Sequence, residues 1–278
     1  MRKSRGNAIV YIILSVLGII WVLPILWVIM TSFRQEAGSF TPYFFPKGFT
    51  FQNYINLFAE NTTFNFSKWF SNTLIVSVFS CVLSTFYVLS VSYTMSRLRF
   101  RMRKKMMNIA LVLGMFPGFM SMIAVYYVLK LFGISQSLLA LILVYSSGAG
   151  LGFYVAKGFF DTIPKSLDEA AMLDGASKGM IFRRITLPMS KPIAIYTVVT
   201  SFMAPWVDYI FASVIMGDSY ENYTVALGLF SMLEKEFIHS YYTRFAAGAV
   251  IVSIPIAILF VLTQRFYVQG ITGGSVKG

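Results

Sequence analysis

Charge is scarce in this chain. Of its 278 residues only 12% are Asp, Glu, Lys or Arg, and 57% are hydrophobic, whereas an ordinary soluble domain carries about 25% charged residues. That shortage excludes a solvated globular surface. Cysteine is scarcer still: Cys81 is alone, inside an apolar run. An intrachain disulfide and a thiolate metal cluster are both excluded. His239 is the single histidine, which removes HExxH and most histidine-built metal sites. No GxxxxGK[ST] phosphate loop occurs. Gly148, Gly150 and Gly152 alternate in an apolar stretch, but a dinucleotide fingerprint needs a strand before it and a helix after it. The apolar stretches contain no Ser-His-Asp set and no usefully spaced carboxylate pair. The chain is therefore expected to be no enzyme, with no catalytic residue and no metal of its own.

What is present is apolar sequence in long runs. Six stand out, at about 8–30, 70–95, 106–129, 136–156, 193–216 and 246–264, each near the roughly 20 residues that cross a bilayer. The expected class is an all-α, polytopic membrane protein of six transmembrane helices, one transmembrane domain over 1–278. The first run, Ala8 to Met30, has no small-residue cleavage site and reads as a retained helix rather than a signal peptide. The net charge of +12 is spread over short segments between apolar runs, so it reads as a topology signal and not as a nucleic-acid surface. The basic residues fall mainly on one side: Arg2, Lys3 and Arg5; the loop RLRFRMRKK at 97–105; Lys157, Lys165, Lys178, Arg183, Arg184 and Lys191; Arg265 and Lys277. Positive loops stay in the cytoplasm, so both termini are expected inside. Residues 31–69, 130–135 and 217–245 then lie outside. The first and last of these are too long for plain connectors. Pro24, Pro117, Pro205, Pro255 and the glycines of the runs read as kinks or close helix approaches.

One polar segment interrupts this pattern: DEAAMLDGASKGMIFRRITLPMSKP at 168–192. Ser166 and Glu169 have the spacing of a capping box. Asp168 and Glu169 suit the positive end of a helix, and Ala170, Ala171, Met172 and Leu173 are good helix formers. Asp174-Gly175 interrupts, since glycine costs about 1 kcal/mol in a helix and permits a left-handed turn. A second helix over about Ala176 to Arg184 is expected. Pro188 should end it, with Leu187 biased to extended geometry. The segment thus reads as a helix–turn–helix, either offered to a partner or resting on lipid headgroups. Physical chemistry alone leaves both open.

The residues Glu169-Ala170-Ala171, Asp174-Gly175-Ala176, Phe182, Ile185, Leu187-Pro188 and Pro192 match EAAxxDGAxxxxxFxxIxLPxxxP at every defined position. The chain thereby resembles the permease subunits of ABC importers. FFDTIPKSLDEAAMLDGAS, NYINLF with WFSNTLIVS, and the tail QRFYVQGITGGSVKG are similar to the carbohydrate-uptake, maltose-type branch. The resemblance implies a type I importer permease fold in a bacterial plasma membrane. Residues 164–192 would form cytoplasmic coupling helices docked on a separate ATPase, with Glu169 making a polar contact, Gly175 fitting a groove, and Leu187-Pro188 leading to span five. It implies a second, homologous permease subunit, two ATP-binding subunits and an extracytoplasmic sugar-binding protein as partners. ATP and Mg would be used by the ATPase and not bound here. The implied cargo is an oligosaccharide of maltodextrin type.

Asp208 is the one ionisable residue well inside any of the six runs. A charge at bilayer depth costs about 2.5–3.5 kcal/mol, so Asp208 should face a cavity or a partner. Trp206 and Tyr209 flank it, and aromatic faces beside a carboxylate suit sugars. A substrate path at Trp206, Asp208 and Tyr209, a structural pair for Asp208, and a hydrated place for it near the outer surface all remain open. A secondary transporter or channel for a small polar solute is the alternative function. It would call for several intramembrane charges or paired broken spans in two repeats.

Overall fold

The computed structural model describes residues 2–39, 41, 43–147 and 152–273. Gly148, Gly150, Lys277 and the end of the tail lie outside the described residues, as do the side chains of Arg2, Lys3, Arg5 and Arg265. Among the described residues the fold is all-α, with one isolated antiparallel bridge between Arg34 and Phe49. The chain divides into two compact units, Met1–Lys68 with Gly228–Pro255, and Trp69–Leu227 with Ile256–Gly278.

The first unit holds α1 (Arg2–Ser32), α2 (Gln52–Ala59) and the first half of the long helix α14 (Ile238–Gly273). From Ala8 to Leu26, α1 exposes its apolar side chains all round, as a helix made for lipid or protein surroundings does. The chain leaving it is pinned by polar contacts. Asn53 of α2 donates to the carbonyls of Ser32 and Arg34 at 3.0 and 2.8 Å. Arg34 is buried and donates to the carbonyls of Glu36 and Gly38 and to the Thr41 hydroxyl. Glu60, just past α2, accepts from the Tyr241 hydroxyl at 2.8 Å and pairs with Arg244.

The second unit contains most of α3 (Phe66–Arg97), then α4 (Arg103–Gly114), α5 (Gly118–Leu131), α6 (Leu138–Ser147), α7 (Gly152–Asp161), α8 (Lys165–Leu173), α9 (Lys178–Ile181), α10 (Leu187–Met189), α11 (Lys191–Val207) and α12 (Ile210–Met216). α13 (Val225–Ser231) crosses the division. Serines line the packed face of α3. Ser84 bonds Ser201 of α11 at 2.9 Å, and Ser92 donates to the Phe153 carbonyl of α7 at 2.9 Å. Small side chains permit this close approach. One core joins Val76, Leu129, Ala140, Leu141, Ala212 and Ile215. A second joins Val88, Leu89 and Tyr93 of α3 with Ala156, Phe160 and Ile193.

By length and apolarity, four helices among the described residues suffice to cross a membrane: Ala8–Ser32, Phe66–Arg97, Leu138–Asp161 and Ile238–Gln264. A fifth is added when α11 and α12, bent by 62° at their junction, count as one span. The expected run 106–129 is instead two helices. α4 has 12 residues and α5 has 14, each too short to cross alone. The break falls before Pro117, which stands as N-cap of α5. Proline has no N–H to give a preceding turn.

Candidate functional site

The segment 164–192 forms two short helices around a turn, with three local departures from the sequence expectation. α8 begins at Lys165 with Pro164 as its N-cap, so Ser166 lies inside the first turn instead of capping it. Proline is at ease there because the first amides need no intrahelical partner. The second helix starts later than Ala176: Ser177 is its N-cap, and its hydroxyl accepts from the Met180 amide at 3.3 Å. Finally, Leu187 is helical, at φ −64° and ψ −46°, and not extended. Phe182–Thr186 winds as a π-turn, in which the Leu187 amide reaches the Phe182 carbonyl. Pro188 then sits at the start of α10 and Pro192 at the start of α11. A wider turn of this kind accommodates a residue that cannot donate, and such bulges recur at functional sites.

The turn itself explains part of the motif. Gly175 has φ +82°, the left-handed region that glycine enters without penalty. Its amide donates to Met172 at 3.0 Å, and the Ala176 amide donates to Ala171 at 2.9 Å. These two bonds are a Schellman helix ending. Ala171 and Ala176, both half-buried, stand at the positions that meet in such an ending.

The remaining motif positions divide into inward and outward sets. Phe182 and Leu187 pack on the second core. Glu169, Ala170, Asp174, Gly175 and Pro188 are exposed, and Leu173 is 90% exposed. A carboxylate and an uncovered leucine therefore share a rigid tip.

Asp168, the neighbour of Glu169, is buried and faces inward. Its carboxylate lies 3.4 Å from the Arg97 guanidinium at the end of α3. Sequence reasoning placed Asp168 at the helix end and Arg97 among the topology charges, and missed the pair. Tyr93, one turn before Arg97, donates to the Lys178 carbonyl at 2.9 Å.

Asp208 lies at the break between α11 and α12. Pro205 removes one helical amide from the last turn of α11, and Asp208 is extended, at φ −84° and ψ 111°. One carboxylate oxygen accepts from the Phe211 amide at 3.0 Å, which caps α12; the other accepts from the Tyr145 hydroxyl at 2.8 Å. The carboxylate thus closes a structural pair. Trp206 is buried against Phe70 and Phe202, its indole N–H without a hydrogen-bond partner. Tyr209 is exposed. Tyr145 was the missed residue here. Its signal was a phenol inside an apolar run, where a hydroxyl needs an acceptor.

With the geometry in place, comparison with known proteins settles the family. The model described as the binding-protein-dependent transport system inner membrane component matches residues 88–272. The chain belongs to this family. Within it, the permease is of the carbohydrate type. It is 36% identical over 269 residues to the galactooligosaccharides transport system permease protein GanQ of Bacillus subtilis, covering 96% of this chain and 94% of that one. It is 33% identical to the maltodextrin transport system permease protein MdxG of Bacillus subtilis, covering 96% and 95%. The inner membrane ABC transporter permease protein YcjP of Escherichia coli is 33% identical, covering 100% and 99%. Among solved structures, a bacterial ABC transporter involved in the import of the acidic polysaccharide alginate superposes with TM-score 0.79 at 20% identity, covering 96% of the permease and 98% of that chain. The two share a fold.

Proposed function

We propose that this permease carries an oligosaccharide of maltodextrin type across a bacterial plasma membrane, driven by a separate ATPase that docks on residues 164–192. The exposed, rigid tip carries this reading: Glu169 and Leu173 stand free in front of a left-handed Gly175 turn, while Phe182 and Leu187 root the loop in the core. Glu169, Ala170, Ala171, Asp174, Gly175 and Ala176 form the docking face. The π-turn and Leu187-Pro188 pass its displacement into α11. ATP and Mg belong to two ATP-binding subunits, and a homologous permease and an extracytoplasmic sugar-binding protein complete the assembly. The permease domain spans 1–278 and crosses the membrane six times, with both termini inside. Relatives of the chain named for galactooligosaccharides and maltodextrin support the cargo class.

The sugar path is proposed to border the α11–α12 break. Tyr209 offers it an exposed ring, the buried Trp206 packs behind it, and Asp208 holds the break.

The deciding experiment is uptake of labelled maltodextrins and galactooligosaccharides by vesicles holding the full complex, together with co-purification of the ATPase. Glu169→Lys and Gly175→Val are expected to insert normally, to lose ATPase binding or sugar-stimulated hydrolysis, and to stop uptake. Wild-type co-purification and hydrolysis in both variants would remove the docking role. ATP-independent uptake would favour a secondary transporter.

A further inference from the structure

Both helices of the loop are gripped by the last two turns of α3. Arg97 ends α3 with its side chain only 4% exposed. Its Nη2 donates to the carbonyls of Phe160 and Ile163, each at 2.8 Å, where the chain leaves α7. Its Nη1 faces Asp168 Oδ2 of α8 at 3.4 Å, a side chain 12% exposed. Tyr93 bonds the Lys178 carbonyl of α9 and packs its ring against Phe182 at a 45° tilt, centroids 4.7 Å apart. So α8 and α9, on either side of Gly175, are each tied to the same end of one membrane-spanning helix.

Stability does not explain the charges. Taking an ion pair out of water costs as much as the pair returns, and a well-packed apolar pair often serves as well. This pair is also incompletely bonded. Arg97 Nε and Nη1 and Asp168 Oδ1 are buried without hydrogen-bond partners. What two opposite charges supply in a low-dielectric site is a directed attraction that acts across changes of distance. Packing contacts forfeit about a quarter to a half of their attraction once surfaces part by about 1 Å. An attraction of longer reach suits a contact that must stay engaged while α8 moves.

We propose that Arg97 and Asp168 are positioning residues that transmit displacement of the coupling loop to α3, which gives the loop a second output beside α11. The proposal rests on the docking reading of the loop.

The test uses the complete transporter in vesicles with its sugar-binding protein. It reads ATPase co-purification, stimulated hydrolysis, and sugar transported per ATP hydrolysed. Asp168→Asn is expected to retain the ATPase and to hydrolyse ATP, yet to transport about tenfold less sugar per ATP. Asp168→Glu, which keeps the charge, should restore most of that ratio. The apolar double variant Arg97→Met/Asp168→Leu should assemble and remain uncoupled. A purely structural pair predicts the opposite, a wild-type ratio in the apolar double, and that result overturns the proposal. Loss of the ATPase from Asp168→Asn would assign Asp168 to docking and also overturn it. Failure of both variants to assemble would do the same, since the pair would then serve only the fold. Glu169→Lys is the control that separates the two readings. If it keeps both its ATPase and wild-type stimulated hydrolysis, docking on the loop is wrong. If it loses the ATPase while Asp168→Asn couples normally, only the transmission by Arg97 and Asp168 is wrong.

Discussion

Nothing stands within 4 Å of where a Cβ would be built on Gly175, yet its φ is +82°. Within this chain, then, the glycine is needed for its conformation and not for space. An alanine there carries about 1–2 kcal/mol of strain, a β-branched residue more, and an asparagine less, because its short side chain is tolerated in the left-handed region. Coupled uptake is therefore expected to fall in the order Gly175→Asn, Gly175→Ala, Gly175→Val, with Asn nearest to wild type. The measurement is sugar-stimulated hydrolysis by the three complexes. If Asn is as defective as Val, the ATPase groove itself must exclude a side chain. The glycine was readable from the sequence, because a helix stop between two helix-forming stretches is a local signal. The Arg97–Asp168 pair was not. Its partners are far apart in the chain, and each has an adequate local explanation, one as a topology charge and the other as a helix-end carboxylate.

Elements break where apolarity alone predicts continuity. α11 and α12 were expected as one run over 193–216, since Asp208 is a lone charge in an otherwise apolar stretch. Pro205 was visible, but a proline in a span either kinks it or is absorbed by neighbours. The outcome depends on whether another group stabilises the open end. Asp208 does so by capping Phe211, and Tyr145 of α6 holds Asp208. The same reasoning applies to Pro188, where a π-turn supplied by Phe182–Thr186 kept the chain helical. Tyr145→Phe leaves a half-buried carboxylate oxygen without its donor, and Asp208→Asn weakens the cap, each costing about 1–3 kcal/mol. Both variants are expected to unfold at lower temperature in detergent. The double variant should be less destabilised than the sum of the singles, as residues in direct contact are. Strict additivity would mean that the hydroxyl–carboxylate contact does not hold the break.

At the scale of the molecule, the charge pattern and the helix lengths meet at α4 and α5. In the proposed topology the basic loop around Arg99–Lys105 and the basic loop from Lys157 to Lys191 lie on one side. An even number of crossings must then lie between them. Leu138–Asp161 supplies one. The proposed topology then assigns the other to α4 and α5 together, although neither is long enough alone. The all-α class was legible from the apolar runs, and the crossing number depends on this parity. Single cysteines in a Cys81→Ser background test it with an impermeant thiol reagent. Thr62, Phe132 and Glu221 are exposed positions on the three segments assigned outside, and Arg101 and Ser177 are exposed positions on the two assigned inside. Thr62→Cys, Phe132→Cys and Glu221→Cys are expected to label on intact cells, and Arg101→Cys and Ser177→Cys only after permeabilisation. If α4 and α5 merely dipped into the membrane and returned, Phe132→Cys would stay protected while Ser177→Cys labelled from outside. That result would put the docking tip on the wrong side for an ATPase, and the coupling assignment of Glu169 and Gly175 would fall with it.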